Sequence, residues 1–119
     1  MRPRSFARVL LPLATALLAL TGCKSPYIAT TVTNNTGAAV TLVEVDYPSA
    51  SFGADAIAAG ATYKIRFKII GSGPTKISWT DPAHHNHSST GPDLHEGQQG
   101  QLAIALTPAG ASWSTHLSP

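Results

Sequence analysis

The chain has 119 residues, of which 12% are charged, and it contains a single cysteine, which excludes an internal disulfide. Its formal net charge is +2, but three of the eight basic residues, Arg2, Arg4 and Arg8, lie at the N-terminus. From residue 23 onward, five basic residues stand against six acidic ones, a net charge of −1. Such a balance argues against nucleic acid as a partner.

The first 22 residues have the pattern of an export signal. Residues 2–8 carry three arginines and no acid, and residues 9–20 form an apolar run of 12 residues. A basic start, a short apolar middle and a small-residue cleavage zone are typical of a secretory signal peptide. A transmembrane helix needs about 20 apolar residues, so we expect residues 1–22 to be removed rather than retained as a membrane span.

Leu20, Thr21, Gly22 and Cys23 resemble the lipobox of bacterial lipoproteins at all four positions. In that family the cysteine thiol receives a diacylglyceryl group, a peptidase cuts before the cysteine, and the new amino group is usually acylated. The resemblance covers residues 1–23 and implies a protein anchored to the cell envelope by lipid on Cys23. Because Lys24 rather than Asp follows, the resemblance favours the outer membrane, with the inner membrane as the alternative.

Residues 23–26 then provide the lipidated cysteine and a short tether, and the chain becomes β-like from Tyr27 onward. Short runs of Thr, Val, Ile and aromatic residues are separated by Gly, Pro and Asn. The predicted strands are 27–33, 39–47, 50–53, 61–70, 75–80, 100–107 and 111–117. About seven short strands predict a single antiparallel, immunoglobulin-like β-sandwich over residues 27–119, with a small open barrel as the alternative.

Two local structures are expected within this domain. Residues 55–59 are compatible with one helical turn. Strands 61–70 and 75–80 are expected to form a hairpin with Phe67 opposite Trp79 and Ile69 opposite Ile77. Paired residues must point to the same side of a hairpin, and the other register that meets this condition places two lysines opposite each other.

The polar segment 81–99 is predicted to be a long loop and contains four of the five histidines. Imidazole and carboxylate groups suit Zn²⁺, Cu²⁺ or Ni²⁺. The candidate ligands of a divalent metal are His84, His85, His87, His95 and Asp93. The alternative is a solvated loop, since no established metal-binding spacing occurs in it.

Lys64, Arg66 and Lys68 alternate with apolar residues along one predicted strand and form a cationic stripe. The stripe is a candidate contact for anionic headgroups or for a polyanionic envelope polymer. The alternative is a solvated strand face paired with Glu44 and Asp46 on a neighbouring strand.

No Gly-x-Ser-x-Gly elbow, His-Glu-x-x-His motif or phosphate-binding glycine loop occurs in the sequence, so we expect no enzymatic activity. The expected function is a membrane-anchored, non-enzymatic interaction or structural module of the envelope, whose partner is an envelope protein or polymer. The alternatives are metal binding through segment 81–96 and glycan binding. Glycan binding would require exposure of one or two of four aromatic residues, Trp79, Trp113, Tyr47 and Tyr63.

Overall fold

A computed structural model describes residues 27–119, and the predictions for the signal, Cys23 and the tether concern residues outside this range. Within it the chain forms eight strands and no helix, and no segment is a candidate membrane-spanning helix. The strands are β1 (Tyr27–Asn34), β2 (Val40–Tyr47), β3 (Ala50–Ile57), β4 (Thr62–Lys68), β5 (Gly73–Thr80), β6 (Asn86–Leu94), β7 (Gln99–Thr107) and β8 (Gly110–Ser118).

The strands form two four-stranded sheets, which we call sheet A (order β4-β1-β7-β8) and sheet B (order β3-β2-β5-β6). All neighbours are antiparallel except β1 and β7, which run parallel. The β-sandwich prediction is confirmed. The immunoglobulin-like type is not confirmed by this order, in which β1 and β2 lie in different sheets, whereas the first two strands of a constant-type immunoglobulin domain share one.

The core fills the space between the sheets with alternate side chains from both of them, as expected for a sandwich. Its buried apolar residues are Ile28, Val32, Val40, Val43, Val45, Ile57, Phe67, Ile69, Ile77, Trp79, Leu94, Leu102, Ile104 and Leu106. Phe67 stacks on Tyr47 with ring centroids 4.1 Å apart. The predicted facing of β4 is confirmed, because Phe67 is buried while Lys64, Arg66 and Lys68 are exposed.

The predicted hairpin between residues 61–70 and 75–80 is wrong. β4 lies in sheet A, where Phe67 is opposite Ile28 of β1. β5 lies in sheet B, where Ile77 is opposite Val45 of β2 and Trp79 is opposite His87 of β6. Alternation shows which face of each strand is buried. It does not show whether two buried faces belong to one sheet or meet across the core.

The prediction of a loop over the whole of residues 81–99 is also wrong, because residues 86–94 form β6. This strand pairs along its length with β5, but apart from the buried Leu94 at its end it carries small or polar residues at its inward positions. His87 and Ser89 lie opposite the buried Trp79 and Ile77, so the apolar alternation that reveals other strands is missing. Likewise, no helical turn forms at 55–59, since β3 continues to Ile57.

The two flanks of the sandwich are each bridged by an aromatic side chain of sheet A. Tyr63 of β4 donates its hydroxyl proton to the Gly53 carbonyl of β3 at 3.0 Å. On the other flank, Trp113 of β8 donates from Nε1 to Ser89 Oγ of β6 at 3.0 Å. Gly91 lies against the Trp113 ring, and a Cβ there would collide with ring atoms Cε3 and Cζ3. The lack of a side chain at residue 91 therefore lets β6 and β8 approach.

The sandwich has two ends, which we name from the direction of β1. The entry end is where β1 begins, and it also contains the connections 69–72 and 95–98 and the end of β8. The far end contains the turns 35–39, 58–61, 81–85 and 108–109. With about 3.3 Å per residue, strands of this length separate the two ends by about 25 Å.

At the far end, the side chain of Asn34 is fully buried and makes four hydrogen bonds. Its Nδ2 donates to the carbonyls of Ala38 at 2.7 Å and Ile57 at 2.9 Å. Its Oδ1 accepts from the backbone N–H of Thr36 at 3.0 Å and from the Thr36 hydroxyl at 2.7 Å. Because Ile57 ends β3 of sheet B and Asn34 ends β1 of sheet A, this one amide joins the two sheets.

We predict that Asn34→Ala lowers the free energy of unfolding by about 2–4 kcal/mol, because it leaves buried carbonyls without donors. Thermal and urea unfolding followed by circular dichroism measures the loss. The control is Asn35→Ala, since Asn35 is exposed and contributes to the turn through its backbone N–H. Equal losses in the two variants would contradict the importance of the Asn34 amide.

Two buried threonines allow a matched test of polar burial in the core. Thr30 Oγ1 makes no hydrogen bond within residues 27–119, whereas Thr75 Oγ1 donates to the Pro92 carbonyl at 2.8 Å. We expect Thr30→Val to raise the free energy of unfolding by about 1 kcal/mol and Thr75→Val to lower it by about 1–2 kcal/mol. Both substitutions keep the side-chain shape, so urea unfolding should show shifts of opposite sign. A loss of stability in Thr30→Val would refute the prediction.

Candidate functional site

The five predicted metal ligands lie at opposite ends of the sandwich. His84 and His85 belong to the far-end turn 81–85, and His87 is the second residue of β6. Asp93 and His95 are at the other end of β6, about 20 Å from His87 along the strand. Among residues 27–119, no group of three or more His, Cys, Asp or Glu side chains is arranged to hold a metal ion. The structure thus does not bring these five residues into one coordination sphere.

The far-end turn is organised around Asp81, which is not among the five predicted ligands. Asp81 Oδ1 accepts hydrogen bonds from the backbone N–H groups of Ala83 and His85, each at 2.9 Å. Its Oδ2 lies 2.8 Å from Nε2 of His87 and 3.8 Å from Nδ1 of His85. The signal that could have identified it is Asp81-Pro82 directly after a strand, because Asp commonly starts such turns.

His87 is held between this carboxylate and the core. Its ring stacks on Trp79 with centroids 5.2 Å apart and an interplanar angle of 11°. The hydrogen bond from His87, followed by the backbone N–H of His85, lowers the pKa of Asp81 below its ordinary value of 3.8. The Asp81–His87 pair therefore closes the β5–β6 connection and fixes the imidazole on the indole.

Two open clefts flank the stacked rings of His87 and Trp79. One, of about 320 Å³, is lined mainly by Leu42 and by the polar side chains of residues 78, 80, 86 and 88. Leu42 is 68% exposed and has a φ of 51° at a bulge in β2. The other cleft, of about 230 Å³, lies toward the turn at Thr36 and Ala38. Both clefts are shallow. The His87 ring beside them is already in contact with the Asp81 carboxylate and the Trp79 ring.

The cationic stripe lies on the outer face of sheet A, along its edge strand β4. The expected pairing with Glu44 and Asp46 is wrong, because those acids lie on β2 in sheet B. β4 instead pairs with β1, so Lys64, Arg66 and Lys68 lie opposite Thr31, Ala29 and Tyr27. The Arg66 guanidinium lies 4.3 Å from the centroid of the Tyr27 ring, a cation–π contact.

This arrangement gives the two outer faces of the sandwich opposite charge. The described residues that point outward from sheet A include three cations and no carboxylate. Those of sheet B include Glu44, Asp46 and Asp55, with Lys76 as the one cation. The sequence alone does not reveal this difference in charge, because several strands that are neighbours along the chain belong to different sheets.

Two apolar side chains are exposed at the entry end. Tyr27, the first described residue, is 42% exposed, and Ile70, two residues after β4, is 59% exposed. The connection that holds Ile70 is fixed by Glu96, whose Oε1 accepts the Gly71 N–H at 2.9 Å. The predicted strand 61–70 did not reveal the exposure of Ile70, because β4 ends at Lys68 and Ile70 lies in the connection that follows.

The four aromatic residues proposed for sugar stacking pack on the core. Trp79 is buried, and Tyr47, Tyr63 and Trp113 are partly buried against the core cluster. Tyr63 and Trp113 also use their polar atoms to bridge the flanks. These four side chains therefore do not form an exposed stacking platform.

In comparisons with known proteins, no family model, curated protein or solved structure matched the chain. Function must therefore be inferred from the residues and their arrangement.

We predict that Asp81 stabilises the fold above pH 4 and less so in acid. A carboxyl whose pKa is lowered in the folded state contributes stability that is present above its unfolded pKa and is lost as pH falls through its folded pKa. The difference in melting temperature between wild type and Asp81→Asn should thus shrink as pH falls below about 4. Melts of both proteins followed by circular dichroism, from about pH 5 down to lower pH, measure this difference.

The control for this titration is Asp55→Asn, an exposed aspartate on β3 that makes none of the contacts of Asp81. Its melting temperature should follow that of wild type at every pH. An Asp81→Asn difference that is unchanged in acid would show that the carboxylate charge does not stabilise the turn.

Proposed function

We propose that this protein is a bacterial cell-envelope lipoprotein whose β-sandwich is a non-enzymatic interaction or structural module. The observation that carries the proposal is the lipobox at residues 20–23, followed after only three residues by the first strand of a closed domain. Two or more acyl chains on Cys23 hold a protein durably to a membrane, whereas a single chain does so only marginally.

The direction of β1 supports a definite orientation for such a module. The tether joins the domain at Tyr27, so the entry end lies next to the lipid and the far end lies about 25 Å from it. The far-end turns and the acidic outer face of sheet B are then available to an envelope protein or polymer. Because Lys24 follows the cysteine, the outer membrane is the favoured location, on its periplasmic face or at the surface.

The far-end geometry supports a binding or structural role over catalysis. The residue best suited to acid–base chemistry, His87, is engaged by Asp81 and stacked on Trp79. A general base must reach the proton of a nucleophile or substrate within hydrogen-bond distance. Here the same imidazole is used to hold a turn beside two open, shallow clefts.

The anchoring proposal predicts that wild-type protein incorporates palmitate and that Cys23→Ala does not, because the thiol and the cleavage signal are both lost. Cells expressing each variant are fed radiolabelled palmitate, and the protein is isolated and its mass determined. Ser25→Ala is the matched control and should be labelled like wild type. Palmitate on the Cys23→Ala protein, or an unmodified thiol on Cys23 of the wild type, would refute the proposal.

A further inference from the structure

An apolar and cationic surface is found at one corner of the entry end, which we call the entry corner. It consists of Tyr27, Arg66, Lys68 and Ile70. Tyr27 is opposite Lys68 across the β1–β4 pair and under the Arg66 guanidinium, and Ile70 follows in the next connection. Exposed aromatic and aliphatic groups next to cations are typical of surfaces that lie at the headgroup level of a membrane.

Of the acidic groups at the same height of the sandwich, two lie away from this corner and one borders it. Asp46 is on the outer face of sheet B, and Asp93 is on β6, which borders β8 on the opposite flank from β4. Glu96 borders the corner, because its carboxylate accepts the N–H of Gly71, the residue after Ile70. The corner therefore has two cations, Arg66 and Lys68, beside one carboxylate that is already hydrogen-bonded, whereas the outer face of sheet B is mainly acidic. An anionic membrane would attract the β4 side of the entry end more than the sheet B side.

The length of the tether limits how far the entry corner can be from the lipid. Residues 24–26 span about 10 Å when extended. Along β4, Arg66 and Lys64 lie about 7 and 14 Å beyond Lys68, and charges are screened over about 8 Å at physiological salt. A domain standing upright would leave Lys64 outside the range of the headgroups, whereas one that leans on sheet A brings all three cations close.

We propose that the entry corner rests on the anionic phospholipid headgroups around the anchor, with the outer face of sheet A inclined toward the membrane. The occupant of this surface is the bilayer that holds the acyl chains. The inference depends on the proposed acylation of Cys23. It adds an orientation, under which the acidic face of sheet B and the far-end turns point away from the membrane.

The test uses the acylated protein purified from bacterial membranes. Since Cys23 is the only cysteine and acylation removes its thiol, an introduced cysteine is the only site for a fluorescent label. Ile70→Cys places the label at the entry corner. Ser51→Cys places it at the same end, on the outer face of sheet B opposite Asp46, and Ala83→Cys places it at the far end. Each protein is incorporated into phosphatidylcholine vesicles with or without phosphatidylglycerol, with a nitroxide quencher on some headgroups.

We expect the label at residue 70 to be quenched most strongly, and more so with phosphatidylglycerol than without it. The labels at residues 51 and 83 should be quenched little in either vesicle. Lys64→Gln with Lys68→Gln should lower the equilibrium constant for contact at residue 70 by roughly fivefold per lysine removed. Lys76→Gln on sheet B is the matched control and should leave it unchanged, and added salt should weaken the contact in wild type.

The outcomes separate this inference from the anchoring proposal. Equal quenching at residues 70 and 51, or quenching at residue 70 that is independent of phosphatidylglycerol and of the two lysines, would overturn the orientation while leaving the lipid anchor intact. Failure of the anchoring proposal has a different signature. The mass of the protein would lack acyl chains, and each introduced-cysteine variant would take up a second label on Cys23.

Discussion

The relation between the two sheets depends on the buried amide of Asn34. All four of its hydrogen-bonding positions are used, two by carbonyls of the adjoining turn and of β3, and two by Thr36. A fully satisfied polar group inside a core stabilises one arrangement, because any shift leaves a donor or acceptor unpaired in a medium that cannot replace it. The Asn34 backbone adds to this, since its N–H donates to Ala61 and its C=O accepts from Gly60. Asn34 therefore holds together the end of β1, the turn before β2, the end of β3 and the turn before β4.

The position of Asn34 at the far end determines where the two ends of β1 lie. β1 is an inner strand of sheet A, between β4 and the parallel strand β7. Its last residue is fixed at the far end, and its first residue, Tyr27, emerges at the entry end beside the last residue of β4. The place where a tether would pull on the domain is thus an inner strand with a hydrogen-bonded neighbour on each side. Such a strand can resist displacement better than an edge strand, which has a neighbour on one side only.

The alternation of apolar and polar residues was sufficient to predict those strands whose buried side chains are apolar. β4 and β7 were located within two residues at each end, and the inward side of β4 was assigned correctly, because Phe67 and Ile69 alternate with lysine and arginine. β6 could not be found this way, since its inward positions before Leu94 hold His87, Ser89 and Gly91, where a side chain would collide with Trp113. The spatial arrangement of the candidate metal ligands could not be predicted for a different reason. His84, His85 and His87 stay together at the far end, but β6 rises about 3.3 Å per residue and places Asp93 and His95 at the entry end.

The cations of β4 have a second physical explanation, which is protection of a sheet edge against pairing with another chain. Edge protection alone would apply to all four edge strands of the sandwich. β8 carries no Lys, Arg, Asp or Glu, and β3 and β6 carry one aspartate each, at Asp55 and Asp93. The cations are concentrated on the one edge strand that pairs with β1, and therefore on the edge nearest Tyr27. Edge protection does not explain why the cations are on this edge alone, whereas the proposed contact with a membrane surface would require them there.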